Sequence, residues 1–241
     1  MRIAIPLAAL LAVLPVGAFA AAPTGQQYQS CANDSGQVSP EEQISGCTAV
    51  IQGDTRPDNV SIAYFNRGMA YFRQRDLTAA IADLSERIRL APNDPDAYLN
   101  RGTAYHRQRR FDLAIADYDR TIALDPKPQA DTYTSRGNSY RRTRNPTRAL
   151  ADLSRAIELD PAAPDAYLYR GNTYADLKDY RRALADYDKA IELNPRFASA
   201  YYGRGEALIA SGRAKAGEAD IAKAESLDPE VSSQAQIPPQ N

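Results

Sequence analysis

A motif that returns on a step of about 34 residues leaves a chain few ways to fold. Between Ser61 and Glu230 a glycine recurs at Gly68, Gly102, Gly137, Gly171 and Gly205, in steps of 34, 35, 34 and 34 residues. A tyrosine stands four residues before each glycine, at Tyr64, Tyr98, Tyr133, Tyr167 and Tyr201. A proline follows each by 24 residues, at Pro92, Pro126, Pro161, Pro195 and Pro229. A unit of this size with two helical stretches cannot bury its own apolar face and needs neighbours stacked on it. The period therefore predicts an all-α array of five units, at 61–94, 95–129, 130–163, 164–197 and 198–231, in place of a domain with a central core.

The fourth unit shows how the pattern builds helices. Pro164 and Asp165 suit a first helical turn, where proline loses no hydrogen bond and a carboxylate meets the positive end of the helix dipole. Tyr167, Gly171 and Tyr174 then share one face, and after Lys178 and Asp179 a second stripe follows at Ala183, Leu184, Tyr187, Ala190 and Ile191. Asn194-Pro195 stops it, because the residue before proline leaves the α region. Gly171 and Ala183 allow close helix approach, so the tyrosines read as core. An arginine precedes every repeat glycine (Arg67, Arg101, Arg136, Arg170, Arg204), and an aspartate follows each by 15 (Asp83, Asp117, Asp152, Asp186, Asp220). This spacing predicts an Arg–Asp ladder through the array; a catalytic reading of the same carboxylates would require five equivalent sites.

The unit resembles the tetratricopeptide repeat, whose pattern is met in unit four by Tyr167, Gly171, Tyr174, Ala183, Tyr187, Ala190 and Pro195. It departs at Arg87, Thr121 and Gly217, where alanine is usual, and at Leu208, which replaces a tyrosine. The resemblance implies a right-handed superhelical solenoid of five helix hairpins whose first helices line a concave groove that holds a polypeptide. It implies groove positions at Phe65, Met69, Phe72 and Arg73, at Leu99, Thr103, His106 and Arg107, at Thr134, Asn138, Arg141 and Arg142, and at Leu168, Asn172, Tyr202 and Glu206. The family's clamp for chaperone tails is absent, since Phe65 and Met69 occupy the places of its first Lys and Asn. Asn138 and Asn172 lie one unit apart and can grip an extended backbone. The arginines that close the first helices of units one to three read either as solvated charge at negative dipole ends or as a basic rim for an acidic peptide or other anion.

The ends need caps. Residues 1–20, with Arg2, an apolar run interrupted by Pro6 and Pro15, and Ala18-Phe19-Ala20, read as a signal peptide cleaved after Ala20, which predicts a periplasmic or secreted protein without membrane insertion. Residues 21–60 read as a capping hairpin, and 232–241 as a disordered tail. Ser39-Pro40-Glu41-Glu42 is a capping box, and Ile44, Cys47 and Ile51 copy the spacing of Leu184, Tyr187 and Ile191. Cys31 and Cys47 are the only cysteines; a structural bridge is favoured over a redox pair or half a metal site, since they are not C-x-x-C and His106 is the only histidine. The arrangement looks like exported bacterial members of the family. A net charge of −1 gives nucleic acid no global attraction. No cofactor, metal or enzymatic activity is expected. The residues point to an envelope adaptor that binds a polypeptide, with a non-protein component such as a glycan as the alternative and self-association open.

Overall fold

The computed structural model describes residues 21–33 and 36–232. The leader expected at 1–20 and nearly all of the tail expected at 232–241 lie outside them. Among the described residues the chain is a right-handed solenoid of twelve α-helices without strands. A capping hairpin, α1 (Gly25–Ala32) and α2 (Pro40–Gly53), precedes five repeat hairpins. These are α3 (Pro57–Arg73) with α4 (Leu77–Leu90), α5 (Pro95–Arg107) with α6 (Phe111–Leu124), α7 (Ala130–Arg142) with α8 (Pro146–Leu159), α9 (Pro164–Asp176) with α10 (Tyr180–Leu193), and α11 (Ala198–Ala210) with α12 (Ala214–Leu227). No described helix is long and apolar enough to cross a membrane.

Local chemistry sets the boundaries. Thr24 and Ser39 form reciprocal capping boxes with Gln27 and Glu42. Asp76, Asn145 and Asp179 accept the third backbone N–H of α4, α8 and α10. Between paired helices the chain turns through one left-handed residue: Arg75, Arg109, Arg144 and Lys178 at φ from 58° to 63°, and Gly212 at 86°. Helix α3 begins ahead of the repeat boundary at 61, because Pro57 serves as its first residue and a cluster at its start holds the chain. In that cluster Asp54 accepts from Tyr28, Arg56 and Asn59, which keeps its carboxyl well below the usual range.

Small residues set the helix spacing. A Cβ on Gly171 would lie 2.9 Å from the Tyr187 ring, and one on Gly217 only 2.5 Å from the Gly205 carbonyl oxygen, so α11 and α12 meet backbone to backbone. The expected ladder is present at every unit as a bidentate pair; Arg101 donates to both Asp117 oxygens at 2.8 Å. Each arginine also reaches the second helix of the hairpin before it. Arg67 donates to Thr48 (2.9 Å), Arg101 to Ser85 (3.1 Å), Arg136 to Asp119 (2.6 Å), Arg170 to Ser154 (3.3 Å) and Arg204 to Asp188 (2.7 Å). A single guanidinium thus ties three helices together.

At the N-terminal end a Cys31–Cys47 disulfide joins α1 to α2, and both cysteines are buried with Val50 and Ala63. Gly46 leaves room for α1 to lie on α2: a Cβ there would meet the Gln27 carbonyl oxygen at 2.8 Å. The bridge and this close approach take the place that a tyrosine and repeat glycine fill in later hairpins.

Candidate functional site: a cavity in the concave face

The first helices of units two to five enclose a cavity of about 630 Å³. His106 and Arg107 enter from α5, Asn138, Arg141 and Arg142 from α7, Leu168, Asn172 and Asp176 from α9, and Tyr202 and Glu206 from α11. Phe111, Tyr180 and Tyr187 come from second helices, and Val231 closes the far end from beyond α12.

Hydrogen bonds fix the state of the central groups. Ser139 Oγ donates to the Ser135 carbonyl (2.9 Å), so at 2.8 Å from His106 Nδ1 it acts as acceptor. His106 is then protonated on Nδ1, and its Nε2 accepts from Asn138 Nδ2 at 3.4 Å. Burial, with Arg142, Arg141 and Arg107 adding positive charge, pushes the imidazole down to about 4, and its ring meets Phe111 edge-on at 5.1 Å. Asn138 spends its donor on the histidine, and its Oδ1 is buried without a hydrogen-bond partner, on a residue only 9% exposed.

One unit along, Asn172 has the complementary orientation. Its Oδ1 accepts from the Tyr187 hydroxyl at 2.8 Å, which leaves Nδ2 as the group it can offer a ligand. Tyr187 is clamped between α9 and α11: Cβ atoms on Gly171 and Gly203 would each fall 2.9 Å from its ring. Burial raises its phenol well above the ordinary value. The two asparagines therefore present an acceptor and a donor on adjacent units, the pair of groups that a peptide backbone carries in reverse.

The cavity is electrically lopsided. Arg107, Arg109, Arg141 and Arg142 gather where α5 and α7 end, while Asp176 and Glu206 lie toward the later units. Burial pushes the Arg142 guanidinium down, and the charges of Arg141 and Arg109 add to it. Arg141 reaches Asp176 at 3.1 Å through Nη1, and its Nε is buried without a partner. Desolvation raises the Glu206 carboxyl, offset in part by a hydrogen bond from Tyr202.

The groove positions divide. Those of α7, α9 and α11 converge on the cavity, joined by His106 and Arg107, with Thr134 the exception. Phe65, Met69, Phe72, Arg73, Leu99, Thr103 and Thr134 lie outside its lining. Arg107 covers Phe72 with its guanidinium 4.4 Å from the ring, Arg87 lies 6.0 Å from Phe65, and Arg73 donates to Gln43 of the cap. Thr103 and Thr134 turn their hydroxyls onto the carbonyls of Leu99 and Ala130 in their own helices. Tyr169, Tyr187, Gly203 and Val231 line the site without standing at an expected groove position. Phe111 and Tyr180 share one place in the repeat, the first residue of the second helix, and the aromatic pair is the signal that could have found them. A second cavity, of about 530 Å³, lies beside the α6–α7 connection, with Pro126, Lys127 and Pro128 on its wall.

Family models described as tetratricopeptide repeat match residues 65–129 and 134–180, 164–197, and 198–231. No curated protein matches the chain. Among solved structures, MamA superposes with a TM-score of 0.61 at 23% identity, over 75% of this chain and 97% of its own. YrrB, described as a TPR protein with an unusual peptide-binding site, gives 0.59 at 21% identity over 79% and 97%. A chain of the APC/C hetero-tetramer Cut9–Hcn1 gives 0.67 at 15% identity over 85% and 42%. At these identities the likeness establishes the fold.

Proposed function

This chain belongs to the tetratricopeptide repeat family, and from that premise we propose that it is an adaptor of the cell envelope that holds an extended polypeptide in its concave groove. The observation that carries the reading is the Asn138–Asn172 pair. One presents a buried acceptor without a partner and the other a donor one unit away, in a cavity long enough to cross four hairpins. A buried unpaired acceptor costs about 1–3 kcal/mol, and an incoming backbone N–H would recover that cost. YrrB's peptide-binding site on the same fold adds support. The envelope location rests on the apolar leader at 1–20 and agrees with a disulfide, which persists in oxidising compartments. Repeats of this family serve as scaffolds, which favours binding over catalysis. Recognition of a glycan is less favoured, because Tyr202 is only 7% exposed and has no open face for a sugar ring.

The test is site-specific photo-crosslinking in envelope extract, with the reactive side chain at Ser199 in the cavity or at exposed Ala151 on α8. A polypeptide captured from Ser199, not from Ala151, and lost with Asn138→Ala/Asn172→Ala supports the groove. Equal capture from both positions, unaffected by the asparagine changes, would move the binding surface elsewhere.

A further inference from the structure

We infer that this chain associates with itself edge to edge, the Leu177-Lys178 turn of one copy seating in the cavity beside the α6–α7 connection of the next. The contact lies outside the concave groove and does not depend on what fills it.

The first support is charge. One edge of the solenoid carries the turns within hairpins, and the opposite edge carries the connections between them. Each repeat turn has an exposed cation, at Arg75, Arg110, Arg144, Lys178 and Arg213, while the ion pairs at the turns are made by Arg141 and Arg182. The connections are acidic: Asp58, Asp96, Asp131 and Asp165 open first helices, and Asp125 and Asp160 follow second ones. Helix dipoles explain the acids on the first helices and fail for the second. Helices α8, α10 and α12 run from the turn edge to the connection edge, and none has an acid in its first turn or a base in its last. They carry Arg148, Arg181 and Lys215 near the start and Glu158, Glu192 and Glu225 near the end, the reverse of what the dipole favours. Charge therefore follows the edge rather than the helix, and unlike edges of two copies attract.

The second support is a pair of departures from the repeat, one on each edge. The residue that caps the end of each first helix is polar at Gln74, Gln108, Thr143 and Ser211, but the fourth is Leu177, 48% exposed. On the other edge the connection 125–129 is one residue longer than 91–94, 160–163 and 194–197, and the cavity of about 530 Å³ opens beside it. Pro126, Pro128 and Leu159 give it an apolar wall; Leu159 is 42% exposed, whereas its counterparts Leu90, Leu124, Leu193 and Leu227 are half-buried. Asp131 and Asp160 line it together with Lys127 and with Arg155, which Glu158 holds at 2.9 Å. Burial and the charge of Asp131 push the Asp165 carboxyl up, so a cation arriving here would relieve carboxylates that repel one another. Leu177 supplies the apolar group and Lys178 the cation. Turn and cavity lie on opposite edges, so the contact is head to tail and leaves one of each unused in a pair, where further copies can add.

The experiment is sedimentation velocity on the purified chain over a range of concentrations. Reversible association is expected, and raising NaCl from about 20 mM to about 300 mM should weaken it about tenfold or more. Leu177→Glu/Lys178→Glu and Asp131→Lys/Leu159→Lys, each checked for helical content, should each sediment as monomers. Mixed in equal amounts they should form a dimer and nothing longer, since one keeps an intact cavity and the other an intact turn; a misfolded variant could not give that result. A monomer at every concentration, association that survives in either variant, or a mixture that stays monomeric would overturn the inference. Retention of the chain on phosphatidylglycerol vesicles, lost with the turn variant and without self-association, would assign the basic edge to a lipid surface and overturn it as well. None of these outcomes bears on the polypeptide groove.

Discussion

His106, which the repeat pattern offers only as one more groove position, has a charge state that its packed surroundings decide. Packed against Phe111 and facing Arg107, Arg141 and Arg142, it takes up a second proton only near pH 4, against an ordinary value of 6.5. Between those values the unfolded chain binds a proton that the folded one refuses. The contribution is therefore complete above about pH 6.5 and is lost as pH falls toward 4, on the order of 3 kcal/mol. His106→Gln should narrow the difference in melting temperature between pH 7 and pH 4.5; an unchanged difference would mean the ring is not held as described. Gly203 is a second case, unreadable because glycine at its place occurs in the fifth unit alone. A methyl there would press on Tyr187, so Gly203→Ala should cost about 1–3 kcal/mol in urea titration and weaken any ligand that depends on Asn172. Gly212 is different, with a φ of 86° and open space around it. Gly212→Ala should cost about 1 kcal/mol from backbone strain alone.

The helices themselves were legible because repetition states each helix five times over. Chance apolar spacing in one unit is not reproduced in the next, and the prolines mark the stops. The ladder was legible for the same reason, but its third arm was not: Thr48, Ser85, Asp119, Ser154 and Asp188 differ in kind and belong to the neighbouring hairpin. Removing one partner of a mostly buried rung strands the other charge. Asp152→Ala should therefore destabilise by about 3 kcal/mol, whereas Arg136→Met with Asp152→Leu should recover much of that loss, since an apolar pair of similar volume carries no desolvation cost. A double variant as unstable as the single would show that the rung contributes more than the burial of its charges. The early start of α3 escaped the repeat because it depends on the cap cluster at Asp54.

Across the whole molecule, the repeat positions spread the candidate site over five units, yet the cavity gathers four and adds side chains from second helices and Val231. Superhelical curvature decides which positions converge, and curvature is a property of the stack that no unit encodes alone. The cap can be probed separately. Reduction of Cys31–Cys47 should cost about 3 kcal/mol by the chain-entropy account. Hydrogen exchange should accelerate first in α1, which among the described helices packs only on α2 and α3. The three-helix grip of each repeat arginine bears on how such a protein can change length. Every junction presents a hydrogen-bond acceptor at the same place, so the number of copies can change by recombination without a new interface being invented. A chain lacking 130–163 would bring Arg170 against Asp119 and should fold as a shorter, cooperatively melting array, whereas one lacking only 130–142 would leave α8 without its partner and should not.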